Sequence, residues 1–320
     1  MLALRYDRYG APDVLVLAEV PEPAPAAGEL KIRVRAASLN PLDWKLRSGH
    51  LALIPMFERP PRGTGVDFAG EIVGVGGGAT GYWVGQRVFG ALSPLRRQGS
   101  AAEFICATAS QLAAIPDGVD FDAAAALPIA AGTAVLALED HADLRAGQRV
   151  LITAAAGGVG HYAVQLARHM GASVTAVCGP ANGEFVRELG ADAVIDYTRS
   201  DFRHGGVRYD VVFDAACSSD YFSCRSALTP EGVYLNTNGS FRAAAMGAMA
   251  SLAARLMSRH RVVPVTLRPG AAMWERLARH ARAGVLKPTI AHRIALSEVA
   301  TAQRRMESGH GRGKTVVVIP

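Results

Sequence analysis

The segment that most constrains the fold runs from Arg149 to Cys178 and reads RVLITAAAGGVGHYAVQLARHMGASVTAVC. It opens with a short run of strand-forming residues and ends with a second one at 173–177. Three alanines and a glycine pair follow the first run. Apolar residues then recur at helical spacing, at Val159, Ala163, Leu166, Ala167 and Met170. The order strand, small-residue turn, helix, strand predicts one half of a doubly wound nucleotide-binding fold.

The turn has the spacing Ala154-x-x-Gly157-x-x-Gly160, a variant of the Gly-x-Gly-x-x-Gly fingerprint. Gly157 lets the backbone approach a pyrophosphate, and Gly160 lets the helix pack close to the strand. The N–H groups at the helix N-terminus favour phosphate. Because Ala154 replaces the first glycine, the opening turn has to tolerate a methyl group. An ordinary strand–helix corner has similar residues, but the second strand makes dinucleotide binding the favoured interpretation.

The composition is that of a globular chain of 320 residues, long enough for two domains, with 50% apolar and 19% charged residues. No apolar run reaches the ~20 residues that span a bilayer, and the N-terminus has no signal-peptide core, so we expect a cytoplasmic protein. Its four cysteines match no zinc spacing. A net charge of +6 without a nucleic-acid-binding motif indicates a generic basic surface and no nucleic-acid partner.

The first third of the chain predicts short strands broken by Gly and Pro, hence a partly open barrel. These strands are expected at 14–17, 30–34, 70–75, 87–90 and 103–115. From Asp122 an alanine-rich helical pattern begins, broken at Pro128. Strands are then predicted at 149–153, 173–177, 193–196, 210–214, 232–236 and 261–267, and helices near 160–170, 182–189, 220–228 and 243–258. This alternation predicts a parallel sheet covered on both faces.

A further helix is predicted from Ala271 to Ala283, and the chain ends in a strand, Lys314 to Ile319. That strand has no place in a six-stranded nucleotide sheet, so it is expected to return to the first domain. The predicted domains are 1–123 with 268–320, for substrate and catalysis, and 124–267, for the dinucleotide.

Several motifs, in order along nearly the whole chain, resemble those of a known family. They are Ser38-Leu39-Asn40-Pro41-Leu42-Asp43-Trp44-Lys45, Gly65-Val66-Asp67-Phe68-Ala69-Gly70, Ala125-Ala126-Leu127-Pro128, Leu189-Gly190-Ala191-Asp192 and Glu307-Ser308-Gly309-His310. Together they resemble the medium-chain dehydrogenase/reductase superfamily, in its zinc-free quinone oxidoreductase (zeta-crystallin-like) branch. The resemblance implies an α/β chain: a Rossmann doubly wound parallel sheet plus a discontinuous, GroES-like, mostly-β barrel domain.

The resemblance also addresses zinc. Zinc-dependent relatives carry a Cys near the position of Ser38 and a Gly-His-Glu where this chain has Gly65-Val66-Asp67. Ser38 and Val66 are not zinc ligands, and tetrahedral zinc needs at least three ligands from Cys, His, Asp or Glu. We therefore expect no metal. Hydride donation to a conjugated acceptor needs no Lewis acid, because the acceptor spreads its own developing charge.

The residues at the end of the second strand distinguish NADH from NADPH sites. NAD sites usually carry an acid there. In this chain the segment is Cys178 to Ala181. It lacks the acid of NAD sites, and it also lacks the Lys or Arg that grips the 2′-phosphate in many NADPH sites. The absence of an acid favours NADPH and leaves NADH open. By resemblance, Asn182 and Tyr197 contact the 2′-phosphate, with Arg199 nearby; Tyr197 as a rim residue of the third strand is the alternative.

The resemblance implies the remaining site residues. Asn40 would orient the nicotinamide ribose or the substrate carbonyl, and Lys45, held by Asp43, would stabilise an oxyanion or relay a proton; a turn and a surface ion pair are the alternatives. Further cofactor contacts are expected from Thr133, Gly157, Gly158, Val159, Asn238, Gly239, Arg312 and Lys314. Cys217 is interpreted as a packed thiol rather than a reactive one.

Between Gly232 and Trp274 the chain has arginines and no acidic residue. Met246, Met249 and Met257 follow helical spacing there. The segment 243–261 is interpreted as a helix packed on the cofactor domain with a basic rim. The alternative is a methionine-lined lid over an apolar substrate.

The sequence therefore predicts a zinc-independent, NADPH-dependent oxidoreductase that transfers a hydride to a quinone or related electron-poor acceptor. The runner-up is a reductase of activated double bonds in enones, 2-alkenals or a biosynthetic enoyl intermediate. A non-catalytic nucleotide-binding protein is the third hypothesis. Pro264 fits an edge strand, which in this superfamily often pairs across a dimer, so a homodimer is expected.

Overall fold

The computed structural model describes residues 1–52, 54, 56–237, 251, 254, 258–267, 270–309 and 311–320. Contacts between Cα atoms divide the chain into two compact units. Unit 1 is Met1–Gly132 with Arg268–Pro320, and unit 2 is Thr133–Leu267.

The strands of both units are numbered here in chain order. They are β1 Leu2–Tyr6, β2 Val16–Glu19, β3 Glu29–Ser38, β4 Arg62–Gly63, β5 Asp67–Val75, β6 Arg87–Ala91, β7 Phe104–Thr108, β8 Leu112–Ala114, β9 Arg149–Ile152, β10 Ser173–Cys178, β11 Ala193–Asp196, β12 Tyr209–Asp214, β13 Leu228–Asn236, β14 Arg261–Pro264, β15 Ile290–Ile294 and β16 Lys314–Val318. The helices are α1 Pro41–Arg47, α2 Phe121–Ala126, α3 Pro128–Val135, α4 Gly160–His169, α5 Gly183–Glu188, α6 Tyr221–Cys224, α7 Ala271–Arg282 and α8 Val299–Glu307.

Unit 1 is built on a seven-stranded sheet in the order β15-β16-β3-β5-β6-β8, with β7 also paired to β3. Strand β3 organises this sheet, because it pairs with β5, β7 and β16. Its Leu30, Ile32 and Val34 alternate with more exposed residues and are fully buried, as the period-2 pattern predicted. A second sheet, β2-β1-β4, completes the unit.

The C-terminal strand β16 joins unit 1, as the sequence predicted. It pairs antiparallel with β3, so that Val316 lies opposite Ser38, and parallel with β15. The sequence analysis did not predict β1 or β15. Both have a mixed burial pattern, which weakens the periodic signal.

Unit 2 contains a six-stranded sheet in the order β11-β10-β9-β12-β13-β14, with every pair parallel. In the unit's own numbering this order is 3-2-1-4-5-6, the order of a doubly wound dinucleotide fold. The prediction is therefore confirmed. Strand β14, which ends at Pro264, lies at the edge of the sheet, where the missing proline N–H is tolerated.

Local boundaries differ from the predictions where side chains compete with the backbone. The segment predicted as one strand at 103–115 is two strands, because the Gln111 side chain accepts from Thr108 N at 3.0 Å and stabilises a turn between them. Strand β2 begins at Val16 rather than at residue 14. Helix α6 ends at Cys224, before the predicted limit of 228, because β13 already begins at Leu228. The predicted helix at 243–258 lies mostly outside the described residues.

Candidate functional site

The loop after β3 begins helix α1 at Pro41, and its geometry is fixed by a capping interaction. Asn40 is the N-cap, and its backbone N–H donates to Asp43 Oδ2 at 2.7 Å. Proline at the first helical position suits this start, because its missing N–H would have no intrahelical partner. The sequence S-L-N-P-L-D thus specifies where the loop turns into the helix.

Behind this loop lies a buried polar network that joins β3, β5 and β16. Lys314 Nζ donates to Asn40 Oδ1 at 2.7 Å and to the Leu39 carbonyl at 3.0 Å. The Asn40 amide nitrogen donates to Asp67 Oδ2 at 2.8 Å, and Ser38 Oγ donates to the same oxygen at 2.9 Å. Lys314 Nζ also forms an ion pair with Asp67 Oδ2 at 3.6 Å. We call Ser38, Asn40, Asp67 and Lys314 the Asn40 network.

Burial dominates the electrostatics of this network. It raises the pKa of the Asp67 carboxyl, against the opposing effects of Lys314 and of hydrogen bonds from Asn40, Ser38 and Ile129 N. It also lowers the pKa of the Lys314 ammonium, which Asp67 opposes. Burial raises the pKa of Asp43 to about 7. Each ion therefore depends on its neighbours to stay charged.

The predicted pairing of Asp43 with Lys45 is wrong. Asp43 is buried and its Oδ2 accepts from Asn40 N, whereas the Lys45 ammonium lies 5.8 Å from the centre of the Trp44 ring. Lys314 begins β16, as the sequence predicted, and its ammonium is buried in the Asn40 network, so that its expected contact with the cofactor stays a prediction. Arg312 is exposed, as a loop residue would be.

Asp67 was not predicted as a site residue, although its sequence setting contains a signal. It lies in the otherwise apolar run Val66-Asp67-Phe68-Ala69, and charged residues in such strands are seldom buried without a partner. The partner, Lys314, is far along the chain. Its identity could not be derived from local sequence.

In unit 2 the glycine turn follows β9 and leads into α4. Ala154, at the position of the first glycine, has φ +45°, a left-handed conformation that costs an alanine about 1–2 kcal/mol. A Cβ on Gly160 would lie 2.1 Å from the Ala154 carbonyl oxygen, so this glycine is required for close packing. A Cβ on Gly157 would lie 3.2 Å from the same oxygen. Both glycines therefore lie against the Ala154 carbonyl, and the turn packs closely on the start of α4.

The end of β10 brings together groups from three segments. The Tyr197 hydroxyl lies 3.3 Å from where a Cβ on Gly179 would stand, and Tyr197 is 52% exposed. Burial raises the pKa of the Cys178 thiol, with Asp196 adding to this and Arg187 opposing it. Asp196 is satisfied locally: its Oδ1 accepts from Thr198 Oγ1 at 2.7 Å. Asn182 lies in the short helical turn before α5.

At the end of β12 a third buried carboxylate, that of Asp214, holds the following loop. Asp214 accepts from Thr153 Oγ1 at 2.6 Å, from Ser219 N at 3.0 Å and from Tyr234 Oη at 3.2 Å. Neither Asp214 nor Arg187 was predicted as a site residue. Cys217, in this loop, has φ +53°, and its Sγ lies 3.1 Å from Thr237 Oγ1.

The structure describes some of the other predicted cofactor residues, and others lie outside the described part of the chain. Thr133 is buried, and Gly157, Gly158 and Val159 form the turn before α4. Asn238 and Gly239 lie outside the described residues, as do the methionines of the proposed lid. The nucleotide contacts of all these residues stay predictions.

No group of three or more His, Cys, Asp or Glu side chains in the described part of the chain is placed to hold a metal ion. Among the helices described, none is both long and apolar enough to cross a membrane.

Known proteins resemble both parts of the chain. Residues 26–117 match the alcohol dehydrogenase GroES-like domain, and residues 189–317 match the zinc-binding dehydrogenase family. A chloroplast envelope quinone oxidoreductase homolog from Arabidopsis thaliana is 36% identical over 99% of this chain and 98% of its own length. The NADPH-dependent alkenal/one oxidoreductase of the same plant is 33% identical over 99% of this chain and 79% of its own.

A solved structure supports the same assignment. The quinone oxidoreductase from Coxiella burnetii superimposes with a TM-score of 0.90 and 30% identity, covering 100% of this chain and 99% of its own. The doubly wound sheet and the GroES-like unit define a nicotinamide-dependent dehydrogenase or reductase. The chain belongs to the medium-chain dehydrogenase/reductase superfamily and, within it, to the quinone oxidoreductase branch. It is therefore an oxidoreductase that uses a nicotinamide cofactor and a small-molecule substrate.

Proposed function

We propose that this protein transfers a hydride from NADPH to a quinone or a related electron-poor acceptor, without zinc. The observation that carries the proposal is the full-length similarity to quinone oxidoreductases, with the glycine turn at the expected end of the parallel sheet. When bound, the reduced nicotinamide supplies the hydride. The protein's own residues bind it, position the acceptor and stabilise the charge that develops on the acceptor oxygen.

Lys45 is the residue of the α1 loop that we propose to stabilise that charge. It is half-buried, and its ammonium lies beside the Trp44 ring. Asn40 has both ends of its amide engaged by Asp67 and Lys314, so we assign it a positioning role rather than direct contact. Lys45→Gln should lower kcat more than it raises KM for the quinone. An unchanged kcat would remove Lys45 from the mechanism.

NADPH is preferred in this proposal because of the charges at the end of β10. Arg187 Nη1 lies 3.5 Å from where a Cβ on Gly183 would stand, and Tyr197 lies beside Gly179. Arg187 and the Tyr197 hydroxyl suit a 2′-phosphate, whereas Asp196 Oδ1 accepts from Thr198 and Asp196 Oδ2 lies 3.7 Å from Arg199 Nε. NADH stays the alternative. Arg187→Gln should raise KM for NADPH and leave KM for NADH unchanged. The same comparison of the two KM values tests Tyr197→Phe and a substitution of Asn182.

A reductase of activated carbon–carbon double bonds is the second candidate, and one specific observation favours it. The similarity to the alkenal/one oxidoreductase covers 99% of this chain and 79% of that protein. NADPH oxidation with 1,4-benzoquinone, an enone and a 2-alkenal should give the highest kcat/KM for the quinone. A higher value for the enone or the alkenal would select the second candidate. Nucleotide binding without turnover on any acceptor would select a non-catalytic protein.

The domain roles, the assembly and the location are parts of the same proposal. We assign residues 1–123 and 268–320 to substrate and catalysis, and 124–267 to the dinucleotide. The edge position of β14 supports a homodimer, which light scattering after size exclusion tests. A cytoplasmic location is tested by cell fractionation.

A further inference from the structure

Four buried side-chain polar atoms in the described residues have no hydrogen-bond partner. They are Tyr6 Oη, Asp43 Oδ1, Arg62 Nε and Ser100 Oγ. Native proteins leave few such atoms, because each one costs about 1–3 kcal/mol. Tyr6, Asp43 and Arg62 all line one small cavity in unit 1. Three of the four unsatisfied atoms therefore belong to residues that surround the same space.

Hydrogen bonds hold two of the three side chains in place, and the third residue lies in a strand. The Arg62 Nη atoms donate to the backbone carbonyls of Glu58, Pro94 and Arg96, at 3.1, 2.9 and 2.8 Å. Asp43 uses its Oδ2 to accept from Asn40 N, and Tyr6 belongs to β1. All three residues are at least 96% buried. Turning the Arg62 or the Asp43 side chain towards another of the three would break bonds that the fold already makes.

The chemistry of the lining selects a neutral ligand that both donates and accepts hydrogen bonds. Arg62 Nε–H can only donate, a carboxylate Asp43 Oδ1 can only accept, and the Tyr6 hydroxyl does either. The Asp43 carboxylate disfavours an anion in this space, and the Arg62 guanidinium disfavours a cation.

The size of the cavity narrows the choice further. Its volume is about 10 Å³. That is close to the smallest space that holds one water molecule, and a buried water typically makes about three hydrogen bonds.

We propose that this cavity is a binding site for one water molecule, held by Tyr6 Oη, Asp43 Oδ1 and Arg62 Nε. The water accepts from Arg62 Nε–H, donates to Asp43 Oδ1 and bonds the Tyr6 hydroxyl. Its bond to Oδ1 holds the Asp43 carboxyl in place, while Oδ2 of the same carboxyl accepts from Asn40 N. The site is separate from the proposed function and does not depend on it.

Hydrogen bonding by this water opposes the effect of burial on Asp43. Asp43 faces Asn40 N, Asp67, Lys314, Arg62 and Tyr6. Burial and Asp67 raise its pKa, whereas the Asn40 hydrogen bond, Lys314 and Arg62 lower it. A water that donates to Oδ1 stabilises the ionised form. Loss of the water should therefore raise the pKa of Asp43 further.

High-resolution diffraction from crystals of the full-length protein tests the proposal directly. We expect one water peak at about 2.7–3.2 Å from Tyr6 Oη, Asp43 Oδ1 and Arg62 Nε. An empty cavity overturns the proposal. So does a direct bond between two of the side chains, or a peak that bromide or rubidium soaks identify as an ion.

A pair of variants tests the energetic consequence. Tyr6→Phe removes one of the three partners, whereas the control Tyr82→Phe removes a hydroxyl that bonds the Leu112 carbonyl. The pKa of Asp43 is read from carboxyl ¹³C shifts in labelled protein. It should rise in Tyr6→Phe and stay at the wild-type value in Tyr82→Phe. An unchanged pKa in Tyr6→Phe contradicts the proposal. The wild-type crystal decides the matter should that variant fail to fold.

Discussion

Lys314 Nζ donates to Asn40 Oδ1 at 2.7 Å and thereby ties the last strand of the chain to the loop that begins α1. The bond is buried, and the same ammonium pairs with Asp67. Because Asp67 also accepts from the Asn40 amide nitrogen, the orientation of this amide is determined at both ends. The C-terminal strand is thus part of the support of the candidate catalytic loop.

Removing the charge of Lys314 should destabilise the fold strongly. Lys314→Met leaves Asp67 buried without its cation, a change that typically costs about 3–5 kcal/mol. Chemical denaturation measures the free energy of unfolding. Lys287→Met, at an exposed lysine of unit 1, is the matched control and should lower stability far less, because interactions of exposed charges contribute at most about 1 kcal/mol.

A double variant separates the ion pair from simple packing. Asp67→Asn combined with Lys314→Met removes both buried charges, so the double variant should be more stable than Lys314→Met alone. If the double variant is no more stable than Lys314→Met alone, the charge of Asp67 does not matter to the fold.

Asp43 should make stability depend on pH in a defined window. Its folded pKa of about 7 lies above the usual aspartate value of 3.8, so the folded state holds the proton more tightly. Below pH ~4 both states are protonated, and the contribution to stability is fully present. It declines as pH rises from about 4 to 7, by on the order of 4 kcal/mol, and is constant above that.

Asp43→Asn tests this window. The amide oxygen can still accept from Asn40 N, but the side chain no longer titrates. Unfolding free energies measured from pH 4.5 to 8 should show a decline for the wild type that the variant lacks. Parallel curves for the two proteins would contradict the elevated pKa.

The two glycines of the unit 2 turn should respond differently to a methyl group. Gly160→Ala places a Cβ 2.1 Å from the Ala154 carbonyl oxygen and 2.7 Å from Ala155 Cα, both backbone atoms. It should cost about 1–3 kcal/mol or more in unfolding free energy. Gly157→Ala has a nearest contact of 3.2 Å, so it should fold but bind NADPH more weakly. Reversed results would contradict the assigned roles.

Asp214 should affect both stability and cofactor binding. In Asp214→Asn, one oxygen replaced by NH₂ faces donors such as Thr153 Oγ1 or Ser219 N, at a cost of about 1–3 kcal/mol. KM for the nucleotide should rise, because the loop after β12 loses its support. Asp210→Asn, at the other end of the same strand, is the control and should leave KM unchanged. A normal KM in Asp214→Asn would remove this role.

Sequence periodicity was sufficient for the fold of unit 2 and for much of unit 1. The glycine turn, the alternation of strands and helices, and Pro264 at a sheet edge each follow from local patterns. Strands β1 and β15 were missed because their burial is irregular along the strand. Hydrophobicity alone predicted one continuous strand at 103–115. The Gln111 side chain divides it into two strands, because it accepts a hydrogen bond from Thr108 N and stabilises a turn.

The candidate site was less predictable because its contacts join distant segments. Asn40 and Asp43 were found from one loop, but the partner of Asp43 was wrong. Lys45 is its close neighbour in sequence, yet the capping bond turns Asp43 towards the Asn40 backbone. Lys314 and Asp67 meet only through the pairing of β16 and β5 with β3, a relation that no local pattern contains.

Oxidation of NADPH by 1,4-benzoquinone, measured on purified protein after exhaustive dialysis against a zinc chelator, tests the central claim most directly. If the protein reduces quinones without a metal, the dialysed enzyme should turn over as fast as the undialysed enzyme. Adding zinc should not raise its rate. Absence of turnover with the quinone, or activity that zinc alone restores, would contradict the account.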